Sequence, residues 1–143
     1  MKLQLDNKSL TDDFFADAHL LGIMAPIRNY QFAWQLNNNL GFSFRLNTDI
    51  DKQLRKKNRQ YFFSVYQHTE NSFLSYYLYH NHCDGEFLLP EFKHMDFLWL
   101  LKGDDVDDEA LLELSNSIKT ISSVQMVAEL TNEMIRNKQH LVF

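Results

Sequence analysis

The stretch Gly85–Gly103, GEFLLPEFKHMDFLWLLKG, holds the most apolar run of the chain, the more interior of its two prolines and a glycine at each end. Met95–Lys102 reads Met-Asp-Phe-Leu-Trp-Leu-Leu-Lys and is followed by Gly103. A run this short and apolar suits a strand buried on both faces better than a helix. Such a strand sits centrally in its sheet. Its polar member Asp96 then needs a partner, because an unpaired buried carboxylate is costly. Upstream, Asp84-Gly85 is a turn signal and Glu86–Leu89 a short strand. Pro90 has no N–H to give a ladder, so that strand ends there or lies at an edge.

Outward from this stretch the chain alternates apolar runs and polar punctuation. His19–Ala25 is an apolar run closed by Pro26 and reads as a buried strand, with Gly22 marking a bulge or a close approach of another backbone. Asn29–Asn39 reads as a helix, with Asn29 as N-cap, Gly41 just past its end, and Tyr30, Ala33, Trp34 and Leu40 on one stripe. Asn37 falls within that stripe. Phe42–Leu46 alternates as a strand. Asn47–Gln60, with Lys52, Arg55, Lys56, Lys57 and Arg59, reads as a solvated connection. Tyr61–His68 and Phe73–Asn81 are alternating aromatic strands joined by the loop Thr69–Ser72. With Glu86–Leu89 and Met95–Lys102 they form an antiparallel meander.

Asp105–Ile121 reads as the second helix, with Ala110, Leu111, Leu114, Ile118 and Ile121 on one face and carboxylates crowding its first turn, where they complement the helix dipole. The acidic run Asp104–Glu109 lacks the alternating ligands and internal glycine of a calcium loop. Ser123–Leu130 alternates as a strand. Lys2–Asp6 reads as an edge strand, Asn7–Asp13 as a loop, and His140–Phe143 as a short edge strand. The chain is thus expected to be one α+β domain, a two-layer sandwich. Its mostly antiparallel sheet carries two main helices on one face, and two strand–helix–strand units flank the meander. Two helices leave the other sheet face bare and aromatic, which soluble monomers rarely tolerate over a large area. A homodimer through that aromatic sheet face is the expectation.

Composition bounds the rest. A chain of 143 residues buries roughly 70% of its unfolded surface. Apolar residues make up 45%, against disorder. The single cysteine, Cys83, rules out an internal disulfide and fits a reducing compartment. The N-terminal residues show no apolar signal segment, and no run approaches a membrane span, so a cytoplasmic location is expected. A formal charge of −5 disfavours a broad nucleic-acid surface.

Leu89-Pro90-Glu91-Phe92-Lys93-His94-Met95-Asp96-Phe97 resembles the signature of the IPExxxVDY family, small bacterial proteins of unknown function. Pro90, Glu91 and Asp96 match the named positions. Leu89, Met95 and Phe97 depart conservatively, and Phe97 lacks the tyrosine hydroxyl. Leu21-Gly22-Ile23, Tyr30, Trp34, Leu36-Asn37 and Leu40-Gly41 also resemble the family's first half. The resemblance implies a family and no activity.

Three groups are candidates for chemistry. Glu91 and Asp96 could work as a general acid and base, or could cap turns and pair with Arg28 or Lys102. His80, His82, Cys83 and His94 offer metal-ligand types, but their spacing matches no standard zinc arrangement, and a polar, His-rich hairpin end is the favoured reading. Trp34 and Asn37 are candidates for contacting a ligand, though for Asn37 the favoured reading is a core-edge amide bonded to a neighbouring backbone. No phosphate loop, dinucleotide fingerprint or nucleophile elbow is present. The reading these features support is a non-catalytic homodimeric interaction or scaffold domain without a cofactor. The alternatives are a small-molecule sensor, similar in plan to ACT-type regulatory domains, and an enzyme using Glu91 and Asp96, with or without metal.

Overall fold

The computed structural model describes residues 2–103 and 106–143. In chain order the elements are helix α1 (Lys2–Phe15), strand β1 (Ala18–Met24), helix α2 (Asn29–Leu40), strands β2 (Arg45–Leu46), β3 (Lys52–Lys56), β4 (Arg59–Phe63), β5 (Val65–Asn71), β6 (Leu74–His80), β7 (His82–Cys83), β8 (Glu86–Phe87) and β9 (Phe97–Gly103), helix α3 (Asp108–Lys119) and strand β10 (Met126–Leu130). Single 3-10 turns occupy Thr48–Ile50, Pro90–Phe92, Asn132–Met134 and Lys138–Leu141.

Six strands form an antiparallel sheet in the order β10-β1-β9-β6-β5-β2. The apolar run Phe97–Leu101 is buried throughout, and β9 pairs with β1 on one side and β6 on the other. Because β1 lies between β9 and β10, the unit β9-α3-β10 joins two parallel strands across a third. The unit β1-α2-β2 spans four positions of the sheet. Both helices pack on one face, where Phe32, Ala33, Leu36, Leu111, Ile118 and Ile121 meet Leu21, Ile23, Leu78, Phe97 and Trp99. The fold is therefore the expected α+β sandwich.

The opposite face departs from the expectation: the chain covers it with its own segments. Phe14 and Phe15 of α1, Tyr61 and Phe63 of β4, Leu88, Leu89, Met95, Ile135 and Leu141 bury Tyr79, Leu98 and Leu100 in a second core. This removes the bare aromatic face on which the dimer interface was placed. Two misread segments contribute to that cover. Lys2–Asp6 and Asn7–Asp13 form the single helix α1, whose end is held by Lys102: its Nζ donates to the Phe14 carbonyl at 2.8 Å and to Asp17 Oδ1 at 2.7 Å. A cation on the last carbonyls of a helix is favourable. The expected connection Asn47–Gln60 holds strand β3 and the first residues of its partner β4, turned at Lys57-Asn58 with φ of 50° and 62° at the two residues. Positive φ at both central residues matches the twist of a two-residue hairpin.

Smaller boundaries also move. The run Tyr61–His68 breaks at Ser64, whose carbonyl accepts the His80 N–H at 3.0 Å; β4 and β5 therefore belong to different sheets. Strand β8 pairs with β7 in a separate ribbon and leaves the meander to β5, β6 and β9. Gly22 sits in regular register without a bulge; the close approach there is by the side chains of Met95 and Leu130. Only Arg45–Leu46 of Phe42–Leu46 is strand, and His140 and Leu141 lie in a 3-10 turn. Asp107 caps α3, its Oδ1 accepting the Ala110 N–H at 2.8 Å, while Asp104 and Asp105 of the acidic run lie outside the described residues.

Candidate functional site

The stripe on α2 is rotated from the one read in sequence. Its buried positions are Phe32, Ala33 and Leu36, with the Phe32 ring tilted at 34° against Phe97 at 4.5 Å between ring centroids. Arg28, not Asn29, is the N-cap; Asn29 Oδ1 instead accepts the Tyr30 N–H at 2.9 Å. Gly41 ends the helix at φ 75°, as its position predicted. The rotation turns Tyr30 and Trp34 outward, where they are 55% and 64% exposed. With Ile27, Gln31 and Gln35 they line a shallow, mostly apolar depression of about 560 Å³. Asn37 is half-buried and turned to the backbone of Phe44. Its Nδ2 donates to the Phe44 carbonyl at 3.0 Å and its Oδ1 accepts the Phe44 N–H at 2.8 Å, so both ends of the amide hold the strand entry.

A second cleft, of about 670 Å³, adjoins the first through Ile27 and Gln31. Pro26, Arg28, His80, His82, Phe87, Lys93 and Asp96 complete its lining. Strand β6 delivers His80 here, where its ring stacks on Phe97 at 5.2 Å. Burial lowers the His80 pKa first and the neighbouring His82 lowers it further, against an opposing pull from Asp96. His82 packs against Phe87, and its Nε2 accepts the Gly85 N–H at 3.3 Å.

The histidine–cysteine group is therefore only partly assembled. His80 and His82 share the cleft with ring centroids 6.4 Å apart. Cys83 packs instead toward the second core, and exposed His94 lies outside the cleft lining. Among the described residues, no three His, Cys, Asp or Glu side chains gather as a metal-binding group.

Glu91 and Asp96 do not face one another across a site; each has a structural partner. Glu91 Oε2 accepts the backbone N–H of Arg136 at 2.7 Å and of Asn137 at 2.8 Å, and Oε1 accepts the Asn137 amide at 2.9 Å. Burial pushes the Glu91 carboxyl up, but the hydrogen bonds from Asn137 and the backbone outweigh it and hold the pKa below its ordinary value. Asp96 Oδ2 accepts the Ala25 N–H at 2.8 Å, supplying the partner that its central position demanded. Of the alternatives read in sequence, pairing with Arg28 or Lys102 does not form: the ion pairs among the described residues do not include Arg28, and Lys102 pairs with Asp17.

The residue that sequence reasoning missed is Asn81. It is 0% exposed. Its Nδ2 donates to the carbonyls of Phe92 and Met95 at 3.0 and 2.9 Å, and its Oδ1 accepts the Leu89 N–H at 2.8 Å. Its backbone N–H donates to Asp96 O and its carbonyl accepts from Leu88 N, both at 3.0 Å. The segment 88–96 is thus wrapped around one buried amide. The available signal was an asparagine at the end of an aromatic strand, where a buried amide must satisfy all of its donors and acceptors.

No protein-family model matches the chain, and no curated protein sequence matches it. Among the described residues, no helix is long and apolar enough to cross a membrane.

Proposed function

We propose that this chain is a non-catalytic interaction domain that self-associates through the outer face of α2. One observation carries the reading: Tyr30 and Trp34 stand one helical turn apart, more than half exposed, on a helix whose other side is fully buried. Large aromatic side chains held in water are costly, and Trp and Tyr dominate the energetics of protein interfaces. In a two-fold dimer the same patch meets itself, so each Trp34 finds the apolar depression of the partner. The covered sheet face makes α2 a better location for this contact than the sheet. Light scattering tests the idea. The wild type is expected to run as a dimer at micromolar concentration, and the double variant Tyr30→Ser, Trp34→Ser as a monomer that keeps the wild-type circular-dichroism spectrum. A monomeric wild type, or a dimer that survives both substitutions, rejects it.

Small-molecule sensing is the second reading, favoured by the cleft that adjoins this patch. Catalysis by Glu91 and Asp96 has less support, because both carboxylates are engaged with backbone N–H groups. The likeness of residues 89–97 to the IPExxxVDY signature is compatible with a motif kept for structure: Glu91, Asp96 and the backbone around them are the joints of the segment. A reducing compartment, the cytoplasm, suits the single free Cys83.

A further inference from the structure

We infer that the cleft at the start of α2 is a binding site for a small organic oxyanion, a carboxylate or phosphoester, held by Arg28 and Lys93 with His80 and His82. The chain as a whole is acidic, with 19 carboxylate residues against 14 lysines and arginines. This cleft inverts that balance: two cations and two imidazoles line it with one carboxylate, Asp96. Concentrated positive charge in a concavity draws anions. The cations are also free to bind. Among the described residues the ion pairs are Lys56–Glu86, Arg59–Asp84, His68–Glu70 and Lys102–Asp17, none of which involves Arg28 or Lys93. The Arg28 guanidinium donates once, to the Tyr30 hydroxyl at 3.2 Å, leaving further N–H donors for a ligand. Asp96 is the one opposing charge in the lining, and its Oδ2 is engaged by the Ala25 N–H at 2.8 Å.

The walls set the rest of the ligand. Pro26, Ile27 and Phe87 give an apolar side against which a carbon skeleton can lie. A volume near 670 Å³ is in the range of metabolite sites. His80 is fixed by its stacking on Phe97, so its ring is preorganised. The groups facing the imidazoles are Arg28 from α2, Lys93 and Asp96 from the segment before β9, and each histidine for the other. Before binding, burial and mutual repulsion favour the neutral form of His80. An arriving anion favours proton uptake, so affinity rises as pH falls through the imidazole range.

The site does not depend on self-association, which is measured without any ligand. Phenyl phosphate and inorganic phosphate are the probes, followed by the imidazole resonances in NMR. Phenyl phosphate is expected to give saturable shifts at His80 and His82 but none at His94 outside the cleft. Its binding is expected to tighten from about pH 8 to about pH 7, above the range in which the phosphate monoester itself takes up its second proton. It is expected to weaken tenfold or more in Arg28→Glu and in Lys93→Glu, with unchanged melting temperatures. Weaker binding of inorganic phosphate supports the apolar wall's share. Absence of saturable shifts at His80 and His82, or shifts that persist in both charge-reversal variants, overturns the inference.

Discussion

Glu91 holds Asn137 by both carboxylate oxygens, Oε2 on its backbone N–H at 2.8 Å and Oε1 on its side-chain amide at 2.9 Å. Nearby, His140 Nδ1 donates to the Leu88 carbonyl at 2.7 Å and the Tyr79 hydroxyl to the Leu141 carbonyl at 2.7 Å. The LPEFKHMDF segment and residues 136–141 are therefore latched together over the second core.

Glu91→Gln should loosen this latch. A glutamine must turn its NH₂ toward one of the donors that the carboxylate accepts. A loss of about 1–3 kcal/mol is expected in urea denaturation at neutral pH. The pH dependence has a definite sign. The folded Glu91 pKa lies below its ordinary 4.5, so its stabilisation is present above that value and is lost as pH falls through the folded pKa. The gap between wild type and Glu91→Gln should therefore shrink in acid. A gap independent of pH would contradict the latch.

Asn81→Ala should cost more, about 3–5 kcal/mol, because it strands the Leu89 N–H and the Met95 carbonyl inside the protein and leaves the Phe92 carbonyl only its bond from the Met95 N–H. Asn81→Asp keeps the shape but, once ionised, cannot donate to either carbonyl. Its cost should at least equal that of the alanine and grow as pH rises through the carboxylate range. Thermal melts of the two variants at acid and neutral pH check this; a mild effect of either at neutral pH would remove Asn81 as the centre of the segment.

Gly103→Ala should be among the most damaging small substitutions. Gly103 closes β9 at φ 150°, and an added Cβ would lie 1.8 Å from the Phe73 carbonyl oxygen, a backbone atom that cannot rotate away. A loss of at least about 3 kcal/mol is expected. By contrast, Gly41→Ala meets no neighbour and carries only the strain of its left-handed φ of 75°, about 1 kcal/mol. Melting temperatures of the pair give the order, and equal losses would contradict it.

The central strand was legible because Phe97–Leu101 is apolar without a break, a pattern that only two covered faces explain. Helix α3 was legible because its apolar spacing and acidic start agree. Helix α1 was not, because Leu3 and Leu5 mimic a strand alternation while its docking rests on Phe14, Phe15 and a distant Lys102. On α2 both Tyr30–Trp34 and Phe32–Leu36 have helical spacing, and sequence alone ranks the larger rings as core. The side-chain partners of Glu91 and Asn81 lie 45 to 46 and 8 to 14 residues away, contacts that no local pattern encodes.

Tryptophan quenching measures the proposed contact most directly. The chain has two tryptophans, Trp99 at 0% exposure and Trp34 at 64%. Trp99 is an internal baseline that acrylamide cannot reach, so the quenchable emission belongs to Trp34. The self-association account predicts that this accessible fraction falls as protein concentration rises, in step with the growth of molar mass. A Trp34 that stays fully quenchable while the protein is dimeric would contradict it, placing the interface elsewhere on the molecule.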